Sequence, residues 1–169
     1  WTTLGDHLYR SLWVKPDQAG IGLNSRTHKV FQKAVSLIPG HPRATFLWSL
    51  MLTDTGNQGA AMRALGAAIR LHPNAPDLYQ GFAYAGRTAG LLEGARTALA
   101  RRRTLLPAVA PSSDWTTETT ELYLGDWAGF DEELKRASAV RSDASIRFYQ
   151  GYAALLKEIR AEALRQMQA

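Results

Sequence analysis

The chain has 169 residues, 46% apolar and 21% charged, which makes it one globular domain with room for a sizeable core and excludes a disordered polymer. Its 20 Lys and Arg outnumber 15 Asp and Glu, for a net charge of +5. We read that excess as a solvated surface that leans basic; the alternatives are attraction to acidic proteins, nucleic acid or an anionic membrane surface. The lack of cysteine excludes disulfides, thiolate catalysis and cysteine zinc sites, and leaves the redox compartment open. No apolar run approaches the roughly 20 residues of a membrane-spanning helix. The chain opens on Trp1 with no basic-then-apolar leader, so a processed or excised piece is expected. A cytoplasmic location is favoured, with a periplasmic or exported one left open.

In chain order, residues 1–14 predict a helix with Leu4, Leu8, Leu12 and Trp13 on one side. Residues 15–24, with Pro16, Gly20 and Gly22, read as a loop. Ser25 is placed to cap a second helix whose stripe is Val30, Phe31, Ala34, Val35 and Ile38. Pro42 then fits the first position of a third helix carrying Phe46, Leu47, Leu50 and Met51, and Gly56 stops it. A fourth helix holds Ala61, Ala64, Leu65, Ala68 and Ile69 and ends at Pro73. The next hairpin repeats the plan: Pro76, then Leu78, Phe82 and Ala85, Gly90, then Ala95, Ala98 and Leu99, and Pro107.

Four sets of residues recur at a fixed offset of 34: Pro39 with Pro73 and Pro107, Pro42 with Pro76, Gly56 with Gly90, and Ala61 with Ala95. A constant period of this size marks stacked copies of one supersecondary unit. Thr27, Phe31, Ala34 and Pro39 share the phase of Ala61, Leu65, Ala68 and Pro73, so the first two helices form an end unit with an enlarged loop. After Pro107 the phase slips by one residue, and Pro111 stands to Gly125 as Pro76 stands to Gly90. The fourth unit is predicted as a helix over 112–124 with Trp115, Leu122 and Tyr123, then one from Trp127 with Phe130, Leu134, Ala137 and Val140. Asp131, Glu132 and Glu133 fall in its first turns, where negative charge suits the dipole. Residues 144–169, capped by Asp143, form a last long helix with Ile146, Tyr149, Tyr152, Ala153, Leu156, Ile159, Ala163 and Met167 at helical spacing. It is expected to cover the last hairpin and offer water a polar side. Lys157, Arg160 and Arg165 would suit a membrane surface, but Glu158 and Glu162 interleave with them and favour the capping role.

These residues resemble the tetratricopeptide repeat. The second unit reads Thr45, Trp48, Ser49, Leu52, Ala61, Leu65, Ala68, Pro73, and the third Tyr79, Phe82, Ala83, Gly86, Ala95, Leu99, Arg102, Pro107. Thr45 in the bulky slot, Gly86 in the aromatic slot and Arg102 in a small slot are departures. The resemblance implies an all-α, right-handed superhelical solenoid of about four helix-turn-helix hairpins, near 1–39, 42–73, 76–107 and 111–142, closed by a capping helix over 144–169. It also implies a concave groove lined by first helices. By phase with the family's groove, the lining is Arg43, Phe46, Leu50 and Asp54, then Asp77, Gln80, Tyr84 and Arg87, then Trp115, Thr119 and Leu122. The alternative for Phe46, Leu50 and Tyr84 is plain packing between helices. The Lys and Asn pairs by which chaperone-binding members clamp a terminal carboxylate are missing at these positions.

No catalytic constellation accompanies the pattern. His7, His28, His41 and His72 show no metal-ligand spacing, and His41 and His72 border the turn prolines, where a side chain touching a last helical carbonyl is the expected role. No nucleophile elbow, glycine-rich phosphate loop or metal-spaced carboxylate set occurs. Arg101, Arg102 and Arg103 complement a helix C-terminus and lack the adjoining aromatics of a nucleic-acid footprint. Arg102 and the phase slip together predict a hinge over 107–111. The expected function is a non-enzymatic scaffold that binds a protein segment or peptide in the groove, with no cofactor and no metal. The alternative is a regulatory or sensory module excised from a larger enzyme or transcriptional regulator.

Overall fold

The structure is a computed structural model that describes residues 1–14, 26–106, 116–138 and 142–168. Among the described residues all regular structure is α-helical. The chain divides into two compact units, Trp1–Ala108 and Val109–Ala169. The expected loop over 15–24, the Ser25 cap, the hinge over 107–111 and Trp115 lie outside the described residues.

The first unit holds α1 (Thr2–Val14), α2 (Arg26–Leu37), α3 (Pro42–Asp54), α4 (Gln58–Leu71), α5 (Pro76–Thr88) and α6 (Leu92–Leu105). Consecutive helices pack in pairs, α1 on α2, α3 on α4 and α5 on α6, and α3 also packs on α5. Pro42 and Pro76 occupy the first turns of α3 and α5, as their fixed φ and missing N–H dictate. The turns that follow these two helices have one design. Gly56 and Gly90 take φ of 82° and 79°, a conformation that opposes a Cβ. Beyond each glycine the backbone N–H reaches five residues back, Asn57 to the Leu52 carbonyl at 2.7 Å and Leu91 to the Gly86 carbonyl at 2.8 Å. That is the Schellman closure of a helix end.

The packing side of α4 is all small or branched: Ala61, Leu65 and Ala68 are fully buried. Leu65 and Ala68 cluster with Leu78 of α5, while Ala61 clusters with Leu52 of α3 and Ala85 of α5. Close approach continues at Gly81, where a Cβ would lie 3.0 Å from Ser49 Oγ and 3.1 Å from side-chain atoms of Leu65 and Phe46. Gly5 of α1 is tighter still, since a Cβ there would stand 2.5 Å from the Phe31 ring. Short residues thus set how near the helices lie, and Leu65 and Phe31 fill what remains.

The second unit holds α7 (Thr116–Leu124), α8 (Trp127–Ser138) and α9 (Asp143–Gln168). Gly125, at φ 75°, repeats the same turn, with the Asp126 N–H donating to the Glu121 carbonyl at 3.0 Å. Leu122, Phe130, Leu134 and Ala153 form its core, flanked by Trp127, Ile146, Tyr149, Tyr152 and Leu156. Three further contacts fasten α9: Lys157 Nζ lies 5.0 Å over the Trp127 ring, Tyr152 shares a hydrogen bond with Tyr123, and the Arg160 guanidinium sits on Gly125.

Four readings change here. Ser142, not Asp143, caps α9: its Oγ accepts from the Ser145 N–H at 3.4 Å, and Asp143 is already the first helical residue. His41 serves a helix start and not a last carbonyl, its Nδ1 accepting from the Ala44 N–H at 3.3 Å. On α9, Ile146, Tyr149, Tyr152, Ala153 and Leu156 face the core as expected, but Ile159 and Met167 are exposed, and so are Phe148 and Leu155. The outer side of that helix is therefore partly apolar. Glu132 and Glu133 do more than suit a dipole, since both pair with Arg136, Glu133 at 3.1 Å.

Candidate partner-binding face

The groove residues of the first unit sit on α3 and α5 at three- and four-residue steps, which places each set along one helix face. The packing of α3 on α5 then brings the two sets together. Arg43 Nη1 lies 3.5 Å from Asp77 Oδ2, an ion pair between residues 34 positions apart. The other nitrogen, Nη2, lies 3.8 Å from Asp6 Oδ2 of α1. Farther along, the Tyr84 hydroxyl donates to Asp54 Oδ1 at 2.7 Å.

Each arginine also covers an aromatic ring three residues away on its own helix. The Arg43 guanidinium carbon stands 5.5 Å from the Phe46 centroid, and that of Arg87 stands 5.4 Å from the Tyr84 centroid. Such stacks hold the guanidinium group in a fixed place on the helix face. The Arg43 pairs are half exposed, so each contributes at most about 1 kcal/mol to folding. Their effect is to position charge, not to hold the fold.

The remaining groove candidates separate. Phe46 and Leu50 are half-buried and pack against Phe31, Leu47 and Met51, so both face the interior in part. Gln80 is only 5% exposed and lies inside. Thr119, also 5% exposed, and Leu122, at 2%, belong to the second unit and are buried, Leu122 in its core. They offer no surface. Their phase matched the groove, but most of α7 is covered, Thr116, Glu118 and Thr120 being fully buried as well. Asp6 was not foreseen, because the sequence between α1 and α2 is longer than in the later units and removes the fixed offset that identified the other positions.

One titratable group near this region is perturbed. His28 of α2 lies 6.3 Å from the Trp48 ring, and burial pushes its pKa below the usual 6.5. At the α4–α5 turn an open crevice of about 340 Å³ is lined by Pro42, His72, Pro73, Asn74 and Ala75. Among the described residues no group of three or more His, Asp or Glu could hold a metal ion, and no helix is long and apolar enough to cross a membrane. Comparison with protein-family models, with curated proteins and with solved structures gives no match.

Proposed function

We propose that the chain is a tetratricopeptide-like solenoid whose α3 and α5 face binds a segment of another protein, without catalysis. The observation that carries this reading is the pair of arginine-on-aromatic stacks, bridged between helices by Arg43–Asp77 and Tyr84–Asp54. Aromatic and arginine side chains dominate the energetics of protein interfaces. Held in place beforehand, they lose little rotamer freedom when a partner arrives. A segment with apolar side chains flanked by charges of both signs suits the face, because half-buried Phe46 and Tyr84 stand among Arg43, Arg87, Asp6, Asp54 and Asp77.

Selection from a displayed random-peptide library supplies ligands for the test. Enriched peptides are measured by fluorescence anisotropy against the chain and against the double variant Tyr84→Ala, Arg87→Ala, with circular dichroism as the fold control. The expected result is a Kd raised by roughly thirtyfold or more, the cost of losing one interface anchor. Peptides that bind both proteins equally overturn the assignment.

A further inference from the structure

The first unit carries 13 Lys and Arg against 5 Asp and Glu. Its helices α2, α4 and α6 end on Leu37, Leu71 and Leu105, residues 34 positions apart. Two contacts set these ends along one edge. A Cβ on Gly40, just past α2, would lie 2.6 Å from Leu71 Cδ1 of α4, and Arg101 Nη2 of α6 donates to Asn74 Oδ1, just past α4, at 3.3 Å. Leu37, Ile38 and Leu71 are 52%, 59% and 63% exposed there. Residues 32–42, 67–76 and 100–106 make up the helix ends and the described turns after them. They hold Lys33, Arg70, Arg101, Arg102 and Arg103 and no Asp or Glu, and all of these cations but Arg102 are exposed. Asp77, the acid that follows the second stretch, pairs with Arg43 at 3.5 Å.

We propose that this edge is a peripheral membrane contact, on which Leu37, Ile38 and Leu71 enter the headgroup boundary of an anionic bilayer while the cations beside them meet its lipid phosphates and carboxylates. Cations at a helix C-terminus also suit the dipole, but the dipole gives no reason for aliphatic side chains exposed next to them. The chemistry of the edge selects among anionic partners. A protein interface gains most from aromatic anchors set in shaped pockets, and single-stranded nucleic acid from aromatic stacking platforms; the exposed residues of these three stretches include no aromatic. A bilayer needs no matching shape. It accepts protruding aliphatic groups, and its negative surface attracts cations lying within a Debye length of it. Charge of one sign around an aliphatic tip is the complement of that surface. The contact does not depend on the α3 and α5 face.

The test is cosedimentation of the whole chain with vesicles of phosphatidylcholine containing about a quarter phosphatidylserine, and with vesicles of phosphatidylcholine alone, with circular dichroism on every variant. Binding to the anionic vesicles is expected to be roughly tenfold tighter or more, and to weaken as salt rises from about 0.1 to about 0.5 M. Arg70→Ala and Arg101→Ala each weaken it roughly fivefold. Leu37→Glu combined with Leu71→Glu weakens it roughly tenfold or more while helix content stays, because both side chains are exposed in the free chain. Arg63→Ala, about 12 Å along α4 from Leu71, changes it by less than about twofold. The chain has no cysteine, so Ile38→Cys takes one environment-sensitive dye, whose emission shifts to the blue on the anionic vesicles. No preference for the anionic vesicles, binding that survives the two leucine changes, an equal loss at Arg63→Ala, or an unshifted dye each overturns the proposal. Polyglutamate that binds the parent chain and the double leucine variant as tightly as the vesicles bind the parent would assign the edge to an acidic protein, and overturns it as well.

Discussion

Glycine in the middle of a helix has two opposite meanings, and this chain contains both. Gly94 of α6 has nothing within 4 Å of a built Cβ, whereas at Gly5 of α1 the Phe31 ring occupies that space at 2.5 Å. Gly94→Ala is expected to stabilise the protein by about 0.5–1 kcal/mol, through helix propensity and a less mobile unfolded chain. Gly5→Ala is expected to destabilise it by about 1–3 kcal/mol, because the buried ring must move. Urea unfolding of both variants checks the pair, and equal signs would contradict the packing described for α1. The sequence marked neither residue, since period and spacing say nothing about how near another helix comes.

His28 supplies a second test at the same scale. Burial lowers its folded-state pKa below 6.5, so the unfolded chain binds more protons as the pH falls through that value. Its contribution to stability is intact above about pH 6.5 and diminishes below it, until the folded pKa is passed. His28→Gln is expected to flatten that part of the stability profile between pH 7.5 and 5.5, read by urea midpoints. An unchanged slope would place the titration elsewhere. His41 shows what residue type alone leaves open: beside a proline turn it suited a helix end, and only the Ala44 N–H on its Nδ1 shows that it begins one.

Among the elements, the punctuation was the most legible part. Pro42 and Pro76 open helices, and Gly56, Gly90 and Gly125 close them, because missing donors and positive φ are local demands that local residues must meet. The alanine-and-leucine stripe of α4 was equally plain. Leu65, fully buried between α4 and α5, is expected to cost about 2–5 kcal/mol on replacement by alanine, measured by denaturant unfolding. A loss below about 0.5 kcal/mol would mean that this core is not packed as described. Helical spacing names an apolar arc but not the neighbour that covers it. On α9 the arc is wide, and α8 takes only the half with Ile146, Tyr149, Ala153 and Leu156, leaving Phe148, Leu155 and Ile159 to solvent. The same limit put Leu122 in the groove by phase when it lies in the core.

A cross-helix bond ties this scale to the next. Tyr84 to Asp54 joins α5 to α3, and a double-mutant cycle with Tyr84→Phe and Asp54→Asn should give a coupling of about 0.5–2 kcal/mol, as expected for a partly buried bond to a carboxylate. Additive effects would show that the two side chains do not meet in solution.

At the scale of the molecule, the fixed offset of 34 joins residues of one packed unit. In the first unit the recurring residues lie on helices that pack together, α5 against both α3 and α4. The period also located Arg43, Asp54, Asp77, Tyr84 and Arg87 on adjoining faces, although the ion pair, the stacks and Asp6 emerged only from the coordinates. The most direct test of the central claim is an amide and side-chain NMR titration of the chain with a library-selected peptide. Shifts concentrated on Arg43, Phe46, Asp54, Asp77, Tyr84 and Arg87 are predicted, with α4 and α6 little changed. Shifts that gather on α4, α6 or α9 and spare α3 and α5 would contradict it.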